Sequence, residues 1–258
     1  MQHLKKSILT LSLIAAIPMS AQAKPINFVT DMTLGGDAYI NPSHVSNGVI
    51  LTKKSRKQNG NAFTNLSYSN IASFDATFEM KMGGGGYYGG ASGMTFAWGV
   101  ADPTVATTAG FGLGFTGMEG YAIEFDTFDS GNWDNNNNHV AVIQDSTKNV
   151  LTQTDITQFN LNDNVYRSVN VNFDQGIVNV TIDGTNFIDD FQIADYDAAN
   201  GIDGFFGFTA ATGKKYDWHK VRNFELAVSP VPEPSTYALM LGGLGLVGFM
   251  AYRRRKTT

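Results

Sequence analysis

The sequence lacks cysteine, carries few charged side chains and shows almost no helical periodicity. Without cysteine, the 258-residue chain has no disulfide bonds and no thiolate chemistry, so a hydrophobic core alone must stabilise its fold. Only 16% of the residues are charged and the formal net charge is −5, which argues against nucleic-acid binding. The sequence has instead short runs of alternating apolar and polar residues, separated by glycine, asparagine and aspartate. This pattern predicts an all-β protein.

The alternating runs predict strands between residues 48 and 226. The segment 71–82 is the clearest, because its apolar side chains fall on every second position. Further strands are predicted at 48–52, 62–68, from 121, 140–143, 165–173 and 176–182, with a last strand inside 204–226, and loops at 53–61 and 83–90. A single domain of about residues 24–228 accommodates them and is long enough for its own core.

The N-terminus carries the first of two long apolar runs. Lys5 and Lys6 precede the mostly apolar segment 7–18, and the small residues around Ala23 form a cleavage site before Lys24. A basic start, a short apolar run and a small-residue site predict a secretory signal peptide over residues 1–23.

The C-terminal segment 229–258 carries the second long apolar run. Its apolar residues 237–252 are followed by three arginines, which predicts a membrane-spanning helix with a cytoplasmic basic end. The combination of VPEPST, helix and arginine cluster resembles the PEP-CTERM sorting signal of exported Gram-negative proteins. That resemblance implies cleavage near Pro232, Glu233 and Pro234 by an exosortase-type membrane protease. It also implies a membrane-anchored precursor, a final location at the cell surface or in the extracellular matrix, and an association with exopolysaccharide.

The stretch 121–142 concentrates groups that bind metal ions. Glu124 and Asp126 are two residues apart on a predicted strand, so both side chains point to the same face, which is expected to look inward. Two buried carboxylates repel each other and require a positive partner. The loop that follows adds Asp134, and the returning strand begins with His139. Three carboxylates and an imidazole predict a divalent cation with mixed oxygen and nitrogen ligands.

These residues resemble the metal loop of the legume-type (L-type) lectins, whose fold is a concanavalin-like antiparallel β-sandwich. The resemblance implies that Glu124, Asp126, Asp134 and His139 hold a transition-metal ion such as manganese. It further implies that Asp126, the Phe128 carbonyl, Ser130 and Asp134 hold calcium. Other family-like segments are the loop around Ser92, the glycine loop 110–115 and the closing segment 204–226. His219, within that last segment, is expected to be structural.

The same resemblance implies a carbohydrate site. Its predicted residues are Ser92, Gly112, Ser130, Trp133, Gly213, Lys214 and Lys215, with Tyr216 as a further candidate contact. The sequence departs from the family at two of these positions: Ser92 replaces the usual aspartate and Ser130 the usual asparagine. A neutral hydroxyl forms weaker hydrogen bonds than a carboxylate, so weak sugar binding is predicted. Trp133 either stacks on a sugar or anchors the loop by packing.

Three functions fit these residues. The favoured one is an exported, metal-stabilised carbohydrate-binding protein without enzymatic activity. A structural matrix protein that has lost sugar binding is the alternative suggested by Ser92 and Ser130. A glycoside hydrolase is disfavoured, although Glu124, Asp126 and Asp129 resemble the E-x-D-x-x-E motif of laminarinase-like enzymes, because Asp129 stands where that motif has glutamate.

Overall fold

The computed structural model describes residues 22–85, 90–105, 107–131, 134, 136–232 and 234–255. Within them the predicted all-β antiparallel sandwich is confirmed. The strands are β1 Lys24–Pro25, β2 Met32–Gly36, β3 Gly48–Thr52, β4 Asn59–Thr64, β5 Tyr68–Gly83, β6 Gly93–Val100, β7 Tyr121–Asp126, β8 His139–Gln144, β9 Ser146–Asp155, β10 Arg167–Asp174, β11 Ile177–Ile182, β12 Thr185–Gln192, β13 Ile202–Ala211 and β14 Trp218–Pro230. The helix α1 spans Pro234–Arg255, and a short 3-10 helix spans Gly110–Gly112.

The strands form two layers. In the first sheet the order is β12-β11-β10-β5-β14, and β3 and β1 pair with the far edge of β14. In the second sheet the order is β2-β4-β13-β6-β7-β8-β9. The two layers join along one edge, where β13 pairs briefly with β5 at Ile202 and Gly204.

Aromatic side chains fill the space between the sheets. Phe78 of the first sheet lies 4.9 Å from Phe208 and 5.4 Å from Phe96 of the second, measured between ring centroids. Edge-to-face and tilted pairs of this kind add to the free energy that burial of the rings contributes. The fold therefore has a continuous aromatic-rich core and no disulfide bond.

A second, smaller core lies on the opposite face of the second sheet. There the segment 107–120 folds over β6, β7 and β8, and its Phe115 and Met118 pack against Ala97, Ala122 and Ala141. Small side chains on the strands leave room for the two larger ones from the loop. This covered face also carries the candidate site.

Strands were predicted correctly where apolar and polar side chains alternate clearly along the sequence. The strand 48–52 is found as predicted, and 71–82, 165–173 and 176–182 correspond to β5, β10 and β11. The prediction of a strand at 62–68 is wrong at both ends, because β4 begins at Asn59 and the chain turns after Thr64. The polar start of β4 had the composition of a loop.

The two ends differ in how far the structure describes them. The predicted signal peptide lies almost wholly outside the described residues, whereas α1 occupies the predicted C-terminal helix. The sequence predicts that this helix spans a membrane, but no helix of the described residues is long and apolar enough to do so. Four glycines dilute the apolar side chains in its middle.

Candidate functional site

The predicted metal ligands lie close together where β7 pairs with β8. The antiparallel register places Asp126 directly opposite His139, and Glu124 follows on the same face of β7. The predicted inward orientation is wrong: Phe125 between them enters the core between the sheets, so both carboxylates lie on the other face of the second sheet. They are buried there because neighbouring loops and β9 cover them.

Three of the predicted ligands form one compact group. Each of Glu124, Asp126 and His139 offers a ligand atom, and these atoms all lie within 4.8 Å of one another. The three residues are 4%, 4% and 3% exposed, respectively. Such a buried cluster of two carboxyl groups and an imidazole is unfavourable unless something compensates the negative charge.

The pKa values of this group favour a bound cation between the side chains. Burial, reinforced by the charge of Asp134, raises the pKa of Glu124 to about 8. Burial and the charges of Glu124 and Asp134 also raise the pKa of Asp126 well above its ordinary value. Burial lowers the pKa of His139 despite the nearby Asp134, so the imidazole is neutral, which is the form that binds metal ions.

Asp134 lies beside this group and orders the loop before β8. Its Oδ2 accepts a 2.7 Å hydrogen bond from the Ser130 N–H, while its Oδ1 lies 3.7 Å from His139 Nδ1. That Oδ1 is buried and has no hydrogen-bond partner among the described residues. Since buried carboxylate oxygens are normally paired, an unpaired one at this position indicates a place for a cation.

The loop also presents backbone and hydroxyl oxygens. The Phe128 N–H donates a 2.6 Å hydrogen bond to Asp126 Oδ1, and the Ser130 hydroxyl lies 3.4 Å from the Phe128 carbonyl. The His139 Nδ1 lies 3.1 Å from the Asn136 carbonyl, which can only accept, so the proton is on Nδ1 and Nε2 is available as a ligand. The donor set therefore fits a divalent cation.

Asn138 anchors the C-terminal end of the loop, a role that the sequence did not reveal. Its Nδ2 donates to the carbonyls of Ile156 and Phe159 at 2.7 and 2.6 Å, and its Oδ1 accepts from the Leu161 N–H at 2.8 Å. One asparagine in an asparagine-rich loop gives no signal in sequence, because the partners are backbone groups about twenty residues away.

A cavity of about 330 Å³ lies next to the acidic group. Five of the predicted carbohydrate residues line it, namely Ser92, Ser130, Gly213, Lys214 and Lys215. Gly112 does not line it, because it sits within the 3-10 turn, where its Cα faces Thr108 and Thr116. Trp133 lies outside the described residues.

Sequence reasoning missed the aromatic walls of this cavity. Phe111 and Phe128 line it together with Gly110. Phe111 and Ser130 also border the space around Glu124, Asp126 and His139, so the two sites share a wall. Phe111 is 41% exposed, and an exposed aromatic between two glycines is the signal that the sequence offered.

Asp217 ties together the two loops at the cavity rim. The Oδ1 of this fully buried carboxylate accepts a 3.0 Å hydrogen bond from the Trp218 N–H, and the nearby backbone N–H groups of Gly85 and Ala91 partly oppose the rise that burial causes in its pKa. Ala91 immediately precedes Ser92, whose carbonyl accepts a 3.0 Å bond from the Thr127 N–H. The position of Ser92 therefore depends on Asp217 on one side and on the metal loop on the other.

His219 lies in β14, buried between the sheets. Its Nδ1 is 2.7 Å from the Thr52 hydroxyl, and burial lowers its pKa to about 3. It does not belong to the acidic group, which agrees with the structural role expected from the sequence.

Comparison with solved structures supports the sandwich. The basic winged bean lectin superposes with a TM-score of 0.65 at 21% identity, covering 81% of this chain and 98% of that one. The Bauhinia forficata lectin gives a TM-score of 0.63 at 18% identity, covering 82% and 100%. The exoplasmic/lumenal domain of VIP36 gives 0.61 at 17% identity, covering 81% and 88%. At these identities the similarity shows the fold. No curated protein matches the sequence.

Two family models match the chain. The PEP-CTERM protein-sorting motif matches residues 230–256, where the resemblance was expected. The legume lectin domain model matches residues 26–239, which include every strand from β2 onward and both parts of the candidate site. The chain therefore belongs to the legume lectin domain family.

Proposed function

We propose that this protein is an exported lectin in which a bound divalent cation fixes the loop that forms one wall of a carbohydrate site. The observation that carries the proposal is the shared wall: Ser130 and Phe111 border both the acidic group and the 330 Å³ cavity. A cation that orders the loop between β7 and β8 would set the position of Ser130 beside Phe111, which lies in the separate turn Gly110–Gly112. The metal has no chemical step to perform in this arrangement.

The ligand set supports two kinds of ion. Asp126, the Phe128 carbonyl, Ser130 and Asp134 supply the oxygen ligands that calcium prefers. Glu124, Asp126, Asp134 and His139 supply the mixed set that suits manganese. One VIP36 structure is described as a Ca2+/Man3GlcNAc-bound form, which supports calcium and a glycan ligand for the family.

The cavity supports weak binding of a neutral sugar. Its rings, Phe111 and Phe128, offer apolar faces, while Ser92 and Ser130 offer neutral hydroxyls. Where a carboxylate anchor is absent, roughly 1.5–3 kcal/mol of a charged hydrogen bond is lost, which lowers affinity by about one to two orders of magnitude. Repeating units of an extracellular polysaccharide would offset this weakness when several copies of the protein bind one chain.

The sorting motif supports a location outside the cytoplasm. We propose that the N-terminal 23 residues are removed after Ala23 and that an exosortase-type enzyme cuts near Pro232, Glu233 and Pro234. The product would remain at the cell surface or in the exopolysaccharide matrix of a Gram-negative bacterium. The lectin domain would be residues 24–228 of the mature protein, with 229–258 as the sorting tail.

A glycan array tests the proposal. We compare the calcium-loaded protein, the same protein after chelation, and the double variant Ser92→Asp/Ser130→Asn. Aspartate tolerates the left-handed backbone of Ser92 (φ 50°), so the variant should fold and bind simple hexoses at least tenfold more tightly. Chelation should lower the melting temperature, because an ion that binds only the folded state stabilises it, and should abolish glycan binding.

A scaffold protein without sugar binding is the second candidate, and Ser92 and Ser130 favour it. It predicts that neither wild type nor the double variant binds any glycan while both remain folded and metal-loaded. A hydrolase would instead release reducing sugars. Asp129 does not support hydrolysis, because it is exposed beyond the end of β7 and its Oδ1 caps the Gly131 N–H at 2.8 Å.

A further inference from the structure

Two lysines lie side by side on the outer face of the first sheet. The antiparallel register of β5 and β14 places Lys81 directly opposite Lys220, and the next pair on the same face is Glu79 with Arg222. Side chains two residues apart on a strand share a face, so three cations and one carboxylate form a continuous row. We call Lys81 and Lys220 the lysine pair.

The lysine pair has no carboxylate partner. Among the described residues, the ion pairs of lysine and arginine are Arg167–Asp163, Arg167–Asp183 and Arg222–Glu79, so neither lysine has a carboxylate within 4.0 Å. Like charges directly opposite each other in a sheet are destabilising. Lys220 is also only 7% exposed, and burial together with the charge of Lys81 lowers its pKa. The folded protein carries this unfavourable pair in a chain that is acidic overall.

Aromatic rings hold the cations in place instead. The Lys220 ammonium lies 4.6 Å from the centre of the Trp218 ring, and the Lys81 ammonium lies 4.9 Å from the centre of the Tyr166 ring. Arg222 also lies over Tyr166, with its Cζ 3.8 Å from the ring centre. Cation–π contacts position an ammonium group without neutralising its charge. Lys81, which is half-buried, therefore keeps N–H donors for an anionic ligand, while the largely buried Lys220 adds its positive charge beside them.

We propose that the lysine pair binds the anionic groups of an acidic polysaccharide, either uronate carboxylates or sulfate esters. This site is separate from the loop-built sugar cavity, because it lies on the strands of the opposite sheet. It goes beyond the proposed lectin activity and does not require it. The protein would then hold two chemically different glycan segments, a neutral one at the cavity and an acidic one on the flat face.

The surroundings of the lysine pair favour a polysaccharide over a lipid surface. Further along the same face, the register aligns Thr77 with Asn170, and the Asp75 carboxylate accepts hydrogen bonds from the side-chain amides of Asn170 and Asn172, which occupies the negative charge within the protein. Hydroxyl and amide groups on a flat sheet can hydrogen-bond the hydroxyls of an extended glycan, whereas a bilayer surface is bound by exposed apolar side chains beside the basic ones.

The test uses the full chain with the double variant Lys81→Met/Lys220→Met. Methionine keeps an unbranched apolar stem against Trp218 and Tyr166 but removes the charge. The control is Lys53→Met/Arg56→Met, which removes two exposed cations from the turn after β3. Both variants change the formal net charge from −5 to −7, since each loses two positive charges. The probes are polygalacturonate, dextran sulfate, neutral dextran, phosphatidylglycerol vesicles and duplex DNA.

We expect wild type and control to bind polygalacturonate or dextran sulfate. This binding should weaken as salt is added. Neither protein should bind neutral dextran through the lysine pair. The lysine-pair variant should bind at least tenfold more weakly. Its melting temperature should equal or exceed that of wild type, because repulsion is removed. The charge-preserving variant Lys81→Arg/Lys220→Arg should retain binding.

Four results would overturn the inference. One is the absence of binding of wild type to both acidic polysaccharides. Another is an equal loss of binding in the control, which would mean that net charge alone is sensed. The third is binding of wild type to the vesicles or to DNA but not to the acidic polysaccharides. A lysine-pair variant that melts at a lower temperature and binds as wild type does would show that the pair is structural.

Discussion

At the scale of single residues, the Asn138 side chain links the metal loop to the segment 156–161 by hydrogen bonds. The variant Asn138→Ala removes three side-chain hydrogen bonds and leaves the groups at Ile156, Phe159 and Leu161 unpaired. At about 1 kcal/mol for each bond, the free energy of unfolding should fall by roughly 3 kcal/mol. Denaturant unfolding measures this change.

Asn137 provides a matched control for that measurement. It is the adjacent asparagine and is exposed, so Asn137→Ala should change the free energy of unfolding by less than about 0.5 kcal/mol. Equal effects of the two substitutions would contradict the anchoring role of Asn138 and indicate that asparagine content alone matters in this loop.

At the scale of elements, Asp217 joins the loop after β5 to the start of β14, and its ionisation should make that junction sensitive to pH. Burial raises the pKa of Asp217 to about 6 from an ordinary value of 3.8. Between these values the folded state binds more protons than the unfolded state, so the stability that this group contributes falls as pH rises through that window.

The variant Asp217→Asn isolates this effect. The free energy of unfolding of wild type, minus that of the variant, should decrease by up to roughly 3 kcal/mol between about pH 4 and pH 7. Thermal unfolding across that range measures the difference, with the exposed Asp189→Asn as a control. Parallel pH profiles for wild type and Asp217→Asn would show that the carboxylate is not buried as the structure has it.

Among the strands that the sequence did not predict, β9 and β12 are each the last strand of their sheet, whereas β6 lies between β13 and β7 in the second sheet. All eight residues of β6 are buried, so it lacks the alternation that identifies a half-buried strand. An edge strand packs along one side only, so β9 reads Ser-Thr-Lys-Asn-Val-Leu-Thr-Gln-Thr-Asp, with most of its side chains exposed or half-buried. Central strands such as β5 and β10 bury every second side chain and were predictable for that reason.

In the candidate site, too, the features set by neighbouring residues were predictable from the sequence and those set by packing were not. Glu124, Asp126 and His139 were predictable as a group, because strand alternation and a hairpin-like return bring them together. The face on which they lie was not predictable, because both faces of β7 are buried and burial alone does not tell which face meets the other sheet. Phe111 and Gly110 form part of the cavity wall and Gly112 does not, because Gly112 faces Thr108 and Thr116 of its own segment.

At the scale of the whole molecule, the two ends of the domain meet on one sheet. Lys24 pairs with Leu226, and β14 continues to Pro230, which aligns with Ile71. Beyond that strand, the described side chains of α1 from Leu241 to Arg253 are all exposed. The last strand therefore ends at Pro230, the first residue of the sorting motif, so a cut after Pro232 would leave every strand intact.

The last prediction concerns two shortened chains. A chain of residues 24–232 should melt at the same temperature as residues 24–258, because α1 contributes no buried side chain among those described. A chain of residues 24–222 should fail to fold, since it loses the core residues Phe224 and Leu226, and deleting one such side chain already costs about 2–5 kcal/mol. Circular dichroism during heating distinguishes these outcomes. A melting temperature several degrees lower for residues 24–232 than for residues 24–258 would show that the sorting tail packs on the lectin domain. Removal of the tail would then change the stability of the mature protein.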